Sequence, residues 1–174
     1  SIDHAKYQNS VKILVLSDAQ LSPSQFSSFR KLRFVQIRSK IIPNFCFSNC
    51  FKLSQFDFSS VESIGKHAFS QCLCLRTVNS KQIKQIGKKA FFECVSLKYV
   101  NLPNCEIFSC DSFLNCKNIK LLLIPGNRIN QFQNIGTHLK IKQLPDGFRI
   151  IRQKYPFTAL KPVPHQQSPT HIYQ

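Results

Sequence analysis

One column of phenylalanines constrains this chain more than any other feature. Phe47, Phe69, Phe91 and Phe113 fall 22 residues apart, and Phe26 precedes Phe47 by 21. With each Phe as an anchor, Phe29, Cys50, Cys72, Cys94 and Cys116 stand three residues on. Leu32, Leu53, Leu75, Leu97 and Ile119 stand six on; Val35, Phe56, Val78, Val100 and Leu122 nine on; Ile37, Phe58, Ser80, Leu102 and Ile124 eleven on. Leu21, Ile42, Ile64, Ile86 and Phe108 come five before. Of these 30 positions 29 are apolar, Ser80 alone excepted, whereas a chain with 43% hydrophobic residues gives about 13 by chance. A half-unit, "VKILVLS", sets Leu14 and Leu16 one period before Val35 and Ile37, and "HLKIKQLP" echoes "SLKYVNLP" further on.

A unit this small cannot bury its own apolar face, so stacking of neighbours must close the core. The alternation Val100, Asn101, Leu102 predicts a short strand with one buried face. Pro103 and Pro125 offer no donor and end such a strand. Gly65 and Gly87 fit a tight turn, where a positive φ is cheap for glycine. The spacing of Ala90, Phe91 and Cys94 suits a helical turn on the outer side. The period lies in the range of about 20–29 residues typical of leucine-rich repeats. The expected fold is therefore an α/β repeat: a leucine-rich-repeat solenoid of six to seven units, with short parallel strands on the concave side and short helical turns or loops on the convex side. The solenoid is expected over residues 1–145, with clear units at 21–125 and a degenerate cap at 126–145 built on Ile129, Phe132, Ile135, Leu139, Ile141 and Leu144. Residues 146–174 are expected to be irregular and are Pro-rich after 155, although "GFRIIRQKYPF" offers one more strand.

No Asn column follows the strand, and the units read I-G-x-x-A-F-x-x-C-x-x-L-x-x-V-x-L-P. This pattern, strongest at Ile64–Ser80 and Ile86–Pro103, resembles the BspA-type leucine-rich repeat family, found in surface and secreted proteins of host-associated bacteria and parasitic protists. The resemblance implies an adhesin or interaction module at the cell surface or outside the cell, with no catalysis in the repeats.

Other classes find little support. No apolar run approaches the ~20 residues that span a bilayer, and no stretch has the order of a secretory signal. The chain has no Met, so it is expected to be a processed chain or a fragment. Gly65-Lys66 and Gly87-Lys88 lack the first Gly and the Ser/Thr of a phosphate loop, and they recur in register. Cys50, Cys72, Cys94 and Cys116 form a column of core thiols; adjacent members are close enough for a disulfide, but a column does not gather four ligands around a metal. His67 with Cys72 lacks an orienting carboxylate, so no nucleophilic pair is expected. No catalytic, metal or cofactor site is expected, nor a small-molecule substrate.

The strand face is the expected binding surface. If positions nine and eleven after the anchor point inward, those at eight and ten point outward. The first set is Phe34, Gln55, Thr77, Tyr99 and Leu121; the second is Gln36, Asp57, Asn79, Asn101 and Leu123. Arg33, Ser54, Arg76, Lys98 and Lys120 stand at the strand start. The expected partner is a protein or a host or matrix surface. The net charge of +16, from 24 Lys+Arg against 8 Asp+Glu, supports an alternative: a polyanion- or nucleic-acid-binding protein using Arg33, Arg76, Lys98, Lys120 and the basic C-terminal segment.

Overall fold

The computed structural model describes residues 7–17, 20–125, 140–143 and 148–152, the last two stretches by backbone alone. The expected capping residues Ile129, Phe132, Ile135, Leu139 and Leu144, and the tail after 152, lie outside the described residues. Every one of the thirty register positions is buried except Leu21, which packs half-buried against the core.

The inward alternation at positions nine and eleven produces the first wall of the solenoid. Its strands are β1 (Ile13–Leu16), β2 (Phe34–Ile37), β4 (Gln55–Phe56), β6 (Thr77–Asn79), β8 (Tyr99–Asn101) and β10 (Leu121–Pro125). Within each of two runs, β1-β2-β4 and β6-β8-β10, they pair in parallel one period apart, as in Val78↔Val100↔Leu122 and Leu14↔Val35. A second wall is formed by β3 (Ile41–Ile42), β5 (Ser63–Ile64), β7 (Gln85–Ile86) and β9 (Ile107–Phe108), also parallel and in the same register. Each of these strands buries one residue, at the position five before the anchor.

The outer side departs from expectation. No helix forms at the anchors; successive coils are joined there by backbone hydrogen bonds. The Phe47 amide donates to the Ala68 carbonyl, Phe69 to Ala90 and Phe91 to Ser112, each at 2.8 Å. The helical part of the α/β expectation is thus replaced by turns. An α-helix would turn these amides back on their own coil. Two residues of each of these coils, four apart, instead adopt positive φ: Phe45 and Asn49, His67 and Gln71, Lys89 and Glu93. That conformation costs an L-residue about 1–2 kcal/mol, and the bonds to the next coil offset it.

Gly65 and Gly87 are needed for close approach, since neither has a positive φ. A Cβ on Gly87 would lie 2.7 Å from the Lys66 nitrogen and 2.8 Å from the Gly65 carbonyl carbon. Coils pass too closely at this corner for a side chain.

Two ladders hold the coils together inside. The anchor rings form one continuous stack, with Phe26, Phe47, Phe69, Phe91 and Phe113 separated by 5.2–5.5 Å and inclined by 12° or less. Beside it runs the thiol column, and its members do more than fill space. Cys50 Sγ donates to the Phe26 carbonyl at 3.1 Å, Cys72 to Phe47 at 3.3 Å, Cys94 to Phe69 at 3.1 Å and Cys116 to Phe91 at 3.0 Å. Each thiol supplies a donor to a carbonyl of the preceding coil that water cannot reach. All eight cysteines are free.

The first wall contains a seam, because β4 and β6 are not paired. The coil ahead of the seam carries Phe at both inward strand positions. Phe56 and Phe58 lie 4.6 Å apart, and Phe58 reaches to Phe91, 6.3 Å away and two coils on. Ser80 stands in the coil between them, 5% exposed, with its hydroxyl accepting from the Gln82 amide. The one polar residue in the register is thus the small counterpart that admits a large ring.

Five anchored coils and the half-coil of β1 are described, fewer than the six to seven units expected. The parallel stack ends at β10, against which β12 (Phe148–Arg152) runs antiparallel. This is the extra strand offered by "GFRIIRQKYPF". The strand β11 (Lys140–Gln143), in the segment that echoes the repeat, pairs with β12 and not with β10.

Candidate functional site

The strand alternation that sends Val78, Val100 and Leu122 inward sends their neighbours outward, and the ladders fix those neighbours in rows. Thr77, Tyr99 and Leu121 lie opposite one another, as do Asn79, Asn101 and Leu123. On the other side of the seam Phe34 lies opposite Gln55. Gln36, Gln55, Thr77 and Asn79 are exposed; Phe34, Asp57, Tyr99, Asn101, Leu121 and Leu123 are half-buried. The Asn101 amide donates to Asn79 Oδ1 at 2.9 Å, so part of the outer row is linked side chain to side chain. Asp57 Oδ1 accepts from the Ser59 amide at 2.9 Å. The strand-start residues Arg33, Arg76, Lys98 and Lys120 are all exposed. All fourteen expected residues therefore occupy one wall, divided into two groups by the seam.

The same wall extends one strand further than the sequence reading carried it. Ile13 pairs with Phe34 and Val15 with Gln36, and they are 63% and 48% exposed. Since Leu14 and Leu16 were already placed inward, alternation alone could have found them. They give the wall an apolar end near Phe34, while Tyr99, Leu121 and Leu123 lie toward the other end.

The alternative chemistries fare differently. His67 stacks on the Phe45 ring at 5.0 Å and 5°, and the Cys72 thiol is engaged by the Phe47 carbonyl. Burial pushes the Cys72 thiol well above its ordinary value, with neighbouring thiols adding to it. His67 is held below its own ordinary value by burial, then by Lys66 and Lys89. A thiol kept protonated is a poor nucleophile, and its supposed base is occupied elsewhere. The Gly65 and Gly87 amides donate to the Ile42 and Ile64 carbonyls, and the Lys66 amide to Asn44 Oδ1. None converges on an anion. Among the described residues no three His, Cys, Asp or Glu side chains gather as metal ligands, and no helix is long and apolar enough to cross a membrane.

The sequence matches the BspA type leucine rich repeat region in six copies, over residues 8–120 and 40–159. Similar solved structures include a leucine-rich repeat protein from Bacteroides ovatus (TM-score 0.65, 24% identity, covering 74% of this chain and 35% of that one). A leucine-rich repeat protein of T. pallidum gives a TM-score of 0.54 at 24% identity, over 62% of this chain and 50% of that one. A leucine-rich cell surface protein from Faecalibacterium prausnitzii gives 0.56 at 22% identity, over 71% and 35%. The chain thus spans between a third and a half of the length of these structures. No curated protein matches it.

Proposed function

The chain belongs to the BspA-type leucine-rich repeat family, and from that premise we propose that it is a non-enzymatic binding module, displayed at the cell surface or secreted, that engages a protein or a matrix surface through its first wall. The observation that carries this reading is the register-locked array on that wall. Rigid strands hold Thr77, Asn79, Tyr99 and Asn101 in fixed rows, so binding them costs little ordering entropy. Tyr99 adds a large ring with a polar tip, the type of side chain that dominates binding energy at interfaces. Solenoids use such extended surfaces because each repeat adds one row of side chains.

Immobilised protein challenged with an extracellular matrix extract is expected to retain a partner that a Tyr99→Ala/Asn79→Ala variant holds about 30-fold less tightly, the loss of one strong anchor. Gln85→Ala, on the second wall, should leave retention unchanged. Loss with Gln85→Ala but not with the first-wall variant would contradict the proposal.

A further inference from the structure

We propose that the strand-start edge of the first wall binds a linear sulfated polysaccharide lying along the solenoid axis, an inference that rests on this wall being the binding surface and names one partner class for it. Backbone hydrogen bonds stack the residues of this edge. The Arg33 amide donates to the Lys12 carbonyl at 2.7 Å and Ser54 to Arg33 at 3.0 Å; beyond the seam, Lys98 donates to Arg76 at 2.9 Å and Lys120 to Lys98 at 2.8 Å. Within each run the backbone positions that carry the cations therefore repeat at the strand spacing of ~4.8 Å. Arg30, Lys31, Lys52 and Lys117 stand in the turns just ahead, all exposed, and no coil carries an acid from four to eight residues after its anchor.

Like charges stacked on neighbouring coils repel one another, so the file works against folding. The fold has a neutral alternative and uses it elsewhere. At the start of the second-wall strands, Lys40, Glu62, Lys84 and Glu106 are stacked in the same manner with alternating sign. There Lys40 Nζ lies 3.1 Å from Glu62 Oε1. Among the described residues Arg33, Arg76 and Lys98 have no such ion pair, and theirs is the edge that borders the ordered array. An external polyanion would supply its counter-charge.

The neighbouring rows point to the kind of polyanion. Gln36, Gln55, Thr77, Asn79 and Asn101 are neutral groups that both donate and accept, as hydroxyl-bearing sugar rings require. Single-stranded nucleic acid needs rings on which successive bases stack. The row beside the file offers only Phe34 and Tyr99, three coils or ~14 Å apart, with Gln55 and Thr77 between them. Sulfates would meet Arg33, Arg76 and Lys98, and the sugar hydroxyls would meet the amide rows.

The test is heparin binding by the intact chain as salt is varied, for wild type, an Arg33→Ser/Arg76→Ser/Lys98→Ser variant and an equal-charge control, Lys66→Ser/Lys84→Ser/Lys88→Ser. Serine already fills this file at Ser54, and circular dichroism verifies that each variant folds. The file variant should lose at least ~30-fold in affinity at physiological salt and flatten the salt slope by about 2, at ~0.7 per cation; the control should lose less than ~3-fold. Equal losses in both variants, or binding of poly(dT) as tight as heparin by wild type, would overturn the proposal. Should heparin fail in this way while Tyr99→Ala/Asn79→Ala still releases a matrix protein, the wall remains the interface and only the glycan is wrong. Loss of protein capture from neither Tyr99 nor Asn79, with heparin binding intact, would instead remove the protein partner.

Discussion

Phe69→Ala should lower the stability of the folded chain by about 3–5 kcal/mol, the range for removing a fully buried aromatic side chain. The ring sits midway in the aromatic stack, 5.5 Å from Phe47 and 5.4 Å from Phe91, with Phe56 and Phe58 presenting edges at 4.8 and 5.3 Å. It also sits beside the seam, where β4 and β6 share no strand bonds, so packing carries more of the coil-to-coil contact than elsewhere. In a solenoid each unit touches only its neighbours, and a cavity here weakens the joint between two halves. Urea unfolding followed by circular dichroism should show the lowered midpoint, with Phe69→Leu falling between wild type and Phe69→Ala. A loss below ~1 kcal/mol for Phe69→Ala would mean that the stack is not what joins the coils.

Alkaline solution should unfold the protein steeply. Burial pushes Cys46 and Cys50 from 9.0 up to about 12, and holds Cys72 and Cys94 well above 9.0. The unfolded chain releases these protons near pH 9 while the folded chain keeps them. Stability is therefore full below that pH and falls as pH rises toward 12. The loss is about 1.4 kcal/mol per pH unit for each thiol, so the four together approach ~5 kcal/mol per unit. Few single domains carry more than 5–15 kcal/mol in total. Urea midpoints taken from pH 8 to 10.5 should fall sharply, and a Cys50→Val variant should show a slope about one quarter shallower. Midpoints flat across that range would show that these four thiols are not buried in the core.

The core was written in the sequence because a 22-residue register repeats the same apolar demand five times. Ile64 and Ile86 were correctly placed in the core, yet the wall they form was not seen. A two-residue strand buries one side chain per period, and a single apolar column cannot distinguish strand from turn. The outer side was misread for a related reason. Ala90, Phe91 and Cys94 fit a helical face, while the positive φ at Lys89 and Glu93 leaves no mark in those residues, and in the rest of these columns only Asn49 and Asn115 are of a type that favours it. The thiol-to-carbonyl bonds were equally hidden, since a buried Cys looks like any small apolar residue until its donor is traced. At the candidate site the rows followed from alternation, but the seam between Gln55 and Thr77 left no sign, since the apolar column runs on from Phe56 to Val78 across it.

The first wall is the feature on which the functional account stands. The second wall is the natural internal control, since it has the same register and the same parallel pairing. A photo-cross-linking residue placed at Thr77 and, separately, at Gln85 measures the difference directly. Both positions are exposed on strands, so neither replacement should disturb the core. On irradiation in a matrix extract, the account predicts a discrete adduct from position 77 and none from position 85. An adduct from position 85 with none from position 77 would contradict it.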